Sequence, residues 1–276
     1  MVEVDGHYFS NQIHGRLRLE RPDSAWMRDG SLIVQGALDL QPGTRVDAGI
    51  HAASIWCCLD AEVHGDVTCG AFRTEGRASV HGWIRAENVF LGHEVRIHGG
   101  LVTPMNHGQV QCGNNCYVEG LLEAAEFRCG NGLRADAHLR AVRSFVGNDF
   151  HWSGRTEVYE LLMAGANCTL LGDVYVEKLM TRDSLTVSGG NFGELHTDDR
   201  FRCHGSVRCR KLIVDNNPYI GGSIEASEYI RFGDSAVIHG NVYCGGLVEK
   251  GPGLHIEGSS NASAWRDIPS SHDKRR

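Results

Sequence analysis

The chain has 276 residues, including 35 Gly and only 6 Pro, and a formal net charge of −7 at pH 7. The acidic balance argues against nonspecific attraction to nucleic acid, and the lack of any run of 18 apolar residues argues against a transmembrane segment. Abundant Gly with little Pro suits tight corners rather than a disordered chain.

The opening stretch, MVEVDGHYFSNQIHG, has no basic head followed by an apolar run. No secretory signal is therefore expected, and the chain is placed in the cytoplasm. Residues 1–30 do not follow the period that organises the rest. Ile13, Leu17 and Leu19 suit a strand, and Trp26 and Met27 suit a cover over the first coil. A solenoid end bares apolar side chains and unpaired strand edges, so 1–30 is assigned as an N-terminal cap.

Residues 31–258 repeat. Asp66–Gly82, DVTCGAFRTEGRASVHG, is followed by Trp83–Gly99, WIRAENVFLGHEVRIHG, with the same length and pattern. Origins fall at Ser31, Ala48, Gly65, Gly82, Gly99, Gly120, Ala137, Gly154, Gly172, Gly189, Gly205, Gly222, Gly240 and Gly258, mostly 17 residues apart. Two residues before the origins, from Ala48 on, come Val46, Val63, Val80, Ile97, Val118, Ala135, Trp152, Leu170, Val187, Cys203, Ile220, Ile238 and Ile256, with no polar member. Two after them the column runs from Ile33, Ile50 and Val67 to Val242, broken by Thr156 and Asn191. Four after come small residues such as Cys69 and Ala86, and seven after come Leu38, Ile55, Phe72, Leu161, Tyr229 and Leu247 among others. Short alternating strands at a fixed period predict an all-β fold, a single-stranded β-helix (β-solenoid) of about 13 coils with a period of about 17 residues. Like residues would then stack about 4.8 Å apart in one continuous core.

Local departures carry their own expectations. The coil from Gly99 to Gly120 is four residues longer, and the excess is expected to loop out at Pro104–Gly108. Phe127, Phe145, Phe150 and Trp152 imply a wider core between Gly120 and Gly172. Asn191 and Gly193 within GGNFGELH mark an irregularity. Residues 259–276 are assigned as a C-terminal cap and disordered tail, with Trp265 and Ile268 folding back over the last coil.

Of ten cysteines, nine fall on inward columns (Cys57, Cys69, Cys112, Cys116, Cys129, Cys168, Cys203, Cys209 and Cys244), and Cys58 falls outside. Buried thiols behave as small hydrophobes, and a reducing cytosol keeps them unoxidised. The competing readings are disulfides and a zinc site from His107, Cys112 and Cys116, where the spacing is loose and a fourth ligand is missing. Just before the origins, an outward column brings His64, His81 and His98 into consecutive coils between Asp47 and Glu119. Such a ladder is either a solvated polar corner or a row able to share a proton or a metal, and stacked protonated rings would lower one another's pKa. No G-x-S-x-G, H-E-x-x-H, P-loop or strand-borne G-x-G-x-x-G is present. The chain is read as non-enzymatic, with no catalytic, cofactor-binding or metal residues assigned.

The segments VHGDVTC, IGGSIEA and IHGNVYC share an aliphatic residue, a spacer, Gly, a small polar residue, an aliphatic residue, a spacer and a small residue. In this the repeat region resembles the bactofilins, polymer-forming cytoskeletal proteins of bacteria. The resemblance implies a right-handed triangular β-helix, end-to-end assembly without nucleotide and a scaffold role at the envelope. The chain carries more coils than the family's usual core, an N-terminal cap and many Cys and His. Partners are accordingly expected to be proteins, or copies of the chain itself meeting through solenoid ends. The alternative is a cytosolic protein-binding solenoid, such as a toxin-neutralising immunity protein or adaptor. A left-handed hexapeptide acyltransferase helix fits less well, because 17 dominates over 18 and the small column occurs once per coil.

Overall fold

The computed structural model describes residues 31–270 and four short strands before them, Val2–Val4, His7–Phe9, Gln12–Ile13 and Leu17–Leu19. The described regular structure is all β, without a helix. The chain divides into two compact units, residues 1–141 and 142–276. Each stacks parallel strands as a β-solenoid with a period of about 17 residues, and together they hold about 14 turns.

In the first unit Val46, Val63, Val80, Ile97 and Val118 form one parallel ladder, and Ile50, Val67, Ile84, Leu101 and Leu122 a second. All ten side chains have 0% exposure. Burying an aliphatic side chain contributes about 1.5–3 kcal/mol, but a lone turn has nothing to cover it, so these residues stabilise only as a stack. The second unit repeats the arrangement, with Trp152, Leu170, Val187, Cys203, Ile220 and Ile238 in one buried ladder. Origin glycines permit close stacking: a Cβ on Gly82 would lie 2.4 Å from the Gly65 carbonyl oxygen, and one on Gly99 2.3 Å from that of Gly82.

Extra length collects at one corner. Turns of 18 residues carry a register shift between the small column and the next inward site, at Val158/Leu162 and in the turns holding Ala226–Tyr229 and Cys244–Leu247. The added residue pushes the next inward site along by one. Leu162, Ile230 and Val248 are therefore buried, whereas Leu161, Tyr229 and Leu247, expected inside, are half-buried. The first turn behaves likewise: Leu32 pairs with Ile50, a shift follows between Val34 and Ala37, and Ile33, expected inside, is 37% exposed. The four extra residues of the long turn leave at the same corner, where Gly108 N–H donates to the Pro104 carbonyl at 2.7 Å. The expected loop is therefore present as a compact turn.

Other inward assignments need correcting. Phe145 is half-buried, and Ser144 beside it takes the interior position at 0% exposure. Asn191 is exposed because the corner before it is one residue short, so that Gly190, not Asn191, pairs with Val207. Phe192 follows at the usually small site, and its ring fills the space over Gly190, where a Cβ would lie 3.0 Å from the Phe192 Cζ.

At the chain ends, Gln12–Ile13 and Leu17–Leu19 pair in parallel with Ser31–Leu40, so part of the segment expected as a cap carries the ladder pattern. Trp26 and Met27 lie outside the described residues, as do residues 271–276, expected to be disordered. Of the segment expected to fold back at the other end, Ser260–Asp267 instead forms a strand parallel to Val242–Lys250 with one register shift, and beyond it the Ile268 N–H donates to the Lys250 carbonyl at 2.9 Å. Trp265 pairs there with Val248.

Candidate functional site: a stacked histidine ladder

Strands Glu62–Val63, Ser79–Val80 and Arg96–Ile97 are in register, and each is followed by one outward histidine at the corner. The strand spacing of about 4.8 Å then forces the rings into a stack. Ring centroids of His64 and His81 are 4.3 Å apart at 17°, and those of His81 and His98 are 4.9 Å apart at 14°. Acids close both ends of the row. His64 Nε2 lies 3.3 Å from Glu62 Oε2, and its Nδ1 lies 4.0 Å from Asp47 Oδ1. His98 Nδ1 lies 3.0 Å from Glu119 Oε2, and the Tyr117 hydroxyl donates to the other Glu119 oxygen at 2.6 Å.

The electrostatics follow from this geometry. Partial desolvation, then the flanking His64 and His98, hold His81 below its ordinary value of 6.5, with Glu62 opposing. The lowering expected for a real ladder is thus present at its middle ring. Hydrogen bonds from Tyr117 and His98 hold Glu119 below the usual carboxylate range, and the bond to Glu119 lifts Tyr117 to about 12. Glu62 and Tyr117 were not singled out in the sequence. Their signal was the alternation itself, since residues two apart on a strand share a face.

The rings stack face to face rather than aiming nitrogens at a common point. Among the described residues, no group of three His, Cys, Asp or Glu side chains is placed to hold a metal ion. His107 is exposed in the loop after Val102, whereas Cys112 and Cys116 are 3% and 1% exposed, so this trio does not assemble. What the ladder can do is change charge with pH. Because His81 takes up a proton less readily folded than unfolded, stability is expected to rise with pH toward 6.5 and to fall as pH drops below it. Thermal midpoints of the wild type and His81→Gln between pH 5 and 8 check this. The wild type should lose more than the variant on acidification, and parallel curves would remove the coupling.

Most thiols are inside. Cys57, Cys69, Cys112, Cys116, Cys168, Cys203 and Cys244 are buried, while Cys129 and Cys209, also expected inside, are half-buried. Desolvation lifts the Cys69 and Cys209 thiols to about 12 and those of Cys168 and Cys203 to about 11. Cys116 differs: a hydrogen bond from Cys112 and backbone donors hold it below its ordinary value.

No known protein family, no curated protein and no solved structure matches the chain.

Proposed function

We propose that the chain is a non-enzymatic structural or assembly protein of bactofilin-like character, which self-associates through the C-terminal end of its second unit. One observation carries this reading. Val242, Cys244 and Val248 are buried beneath Ser260, Ala262 and Trp265, but the strand Ser260–Asp267 itself is exposed along nearly its whole length. Among the described residues, no strand is registered against its other edge. Such an edge offers open backbone donors and acceptors beside an apolar side chain, here Trp265 at 38% exposure. The following residues run back along the unit, with the Ser270 hydroxyl donating to Asp234 at 2.6 Å. Two copies meeting end to end would satisfy both edges, and a tail-to-tail pair closes by symmetry.

Cytoplasmic placement is part of the proposal. It is supported by the thiols of Cys57, Cys69, Cys112, Cys116, Cys168, Cys203, Cys209 and Cys244, which a reducing compartment preserves. The non-enzymatic reading is supported by carboxylates held in ion pairs: Glu123 pairs with Arg140 and Asp183 with Arg200. Sedimentation velocity over a concentration series tests the assembly reading. The wild type is expected as a dimer or larger species at micromolar concentration, and Trp265→Asp as a monomer. A wild type that stays monomeric throughout would overturn the reading in favour of a solenoid that binds other proteins.

A further inference from the structure

The second unit carries a long outward ladder. Glu157, Tyr175, Asn191, Arg208, Glu225, Tyr243 and Asn261 are paired one to the next over seven successive turns. Three open cavities, of about 590, 550 and 650 Å³, lie along it. The first two share Tyr175 and Asn191, and the second and third share Arg208. They adjoin along the stack as one segmented groove, with the exposed Arg208 side chain standing between the second and the third.

Its depth comes from missing side chains. The turn after Tyr175 opposes it with Gly190, Asn191 and Gly193, and Tyr243 is flanked by Ser227, Gly245 and Asn261. Tyr175 and Tyr243 therefore stand above their surroundings at 44% and 43% exposure. They are four ladder steps apart, roughly 19 Å at the strand spacing. The Arg155 guanidinium lies over one face of the Tyr175 ring, 5.4 Å from its centroid, and the short side chains are on the side of the following turn, toward the other face.

Each guanidinium of the lining is paired with a carboxylate, and one further carboxylate, Asp173, lines the second cavity. Arg208 Nε donates to Glu225 at 2.9 Å, Arg155 pairs with Glu157, and Arg210 reaches across Gly193 to Glu177 at 2.5 Å. A Cβ at Gly193 would lie 2.6 Å from the Glu177 carboxylate, so the bridge depends on that glycine. With its guanidiniums neutralised, the groove offers no field to attract a polyanion. Between Glu157 and Tyr243 the strands beneath pair on both sides, so an extended peptide finds an open strand edge only at the terminal strand Ser260–Asp267 and not along the groove floor.

What remains is a long, shallow trough without excess positive charge, with three exposed tyrosines, Tyr159 and the two ladder platforms Tyr175 and Tyr243, side-chain amides and hydroxyls, and planar charged groups with spare donors and acceptors. We infer that this groove binds a neutral linear glycan, whose ring faces lie on Tyr175 and Tyr243 while its hydroxyls bond Asn191, Arg208, Glu225 and Asn261. Aromatic platforms supply apolar contact with a polar rim, and the fixed ladder spacing presents them preorganised.

Native electrophoresis of the full chain through gels containing soluble polysaccharides tests this. The neutral probes are hydroxyethylcellulose, xylan, galactomannan and a β-glucan, and the anionic ones are heparin and polygalacturonate. At least one neutral polymer is expected to retard the protein, and Tyr175→Ala and Tyr243→Ala should each weaken that retardation at least tenfold. Tyr175→Phe, which keeps the platform, and Tyr219→Ala, exposed but outside the groove, should bind like the wild type at matched thermal midpoints. The inference is overturned if no neutral polymer retards the protein, if the anionic polymers bind better, or if Tyr219→Ala weakens binding as much as Tyr175→Ala.

Discussion

Replacing Val80 by aspartate is expected to destabilise the first unit by about 4 kcal/mol, because it buries a carboxylate with no partner. Val80 has no exposed surface and stacks between Val63 and Ile97, which are equally buried. No donor side chain lies in that column, so the aspartate must either stay protonated or open the stack. In a solenoid each turn is stabilised by its neighbours, so damage at one turn uncovers the next as well. Val80→Ile, which keeps the apolar face, should cost far less. Urea unfolding of the three proteins side by side measures the difference. A midpoint for Val80→Asp equal to that of the wild type would mean that the column does not face the core.

Gly92→Ala is expected to cost about 3 kcal/mol or more, although it adds a single methyl group. A Cβ there would lie 1.7 Å from the Glu75 carbonyl oxygen and 2.2 Å from its carbon. Both atoms are backbone of the preceding turn, so no side-chain rotation relieves the clash and the turns must separate. That separation strains neighbouring bonds, including Gly92 N–H to Thr74 Oγ1 at 3.0 Å and Gly113 N–H to the Leu91 carbonyl at 2.8 Å. Gly70→Ala is the control, since its nearest contact is one carbonyl oxygen at 2.9 Å. It should be several times milder. Equal unfolding free energies for the two variants would show that the turns are not in backbone contact at Gly92.

The ladders through Val63, Val80 and Ile97 were legible in the sequence because two physical demands coincide there. Strand alternation puts every second residue inside, and stacking requires the same residue class at the same place in each turn. For the same reason the row of His64, His81 and His98 is legible in the sequence. Tertiary structure decided where spare length goes. A one-residue excess can leave at any corner, and backbone pairing alone showed that it leaves beside the small column, which moved the interior site from Tyr229 to Ile230 and from Leu247 to Val248. It also decided the exchange at Gly190 and Phe192, where a ring from the usually small site fills the space above a glycine. The groove was illegible in the sequence for a related reason. Tyr175 and Tyr243 are 68 residues apart, and they share one face only because stacking aligns them across the turns of Asn191, Arg208 and Glu225, with short side chains beside each ring. Periodic burial is a local property that a chain must repeat to fold, whereas an outward surface is under no such demand, and its shape exists only once the turns are stacked.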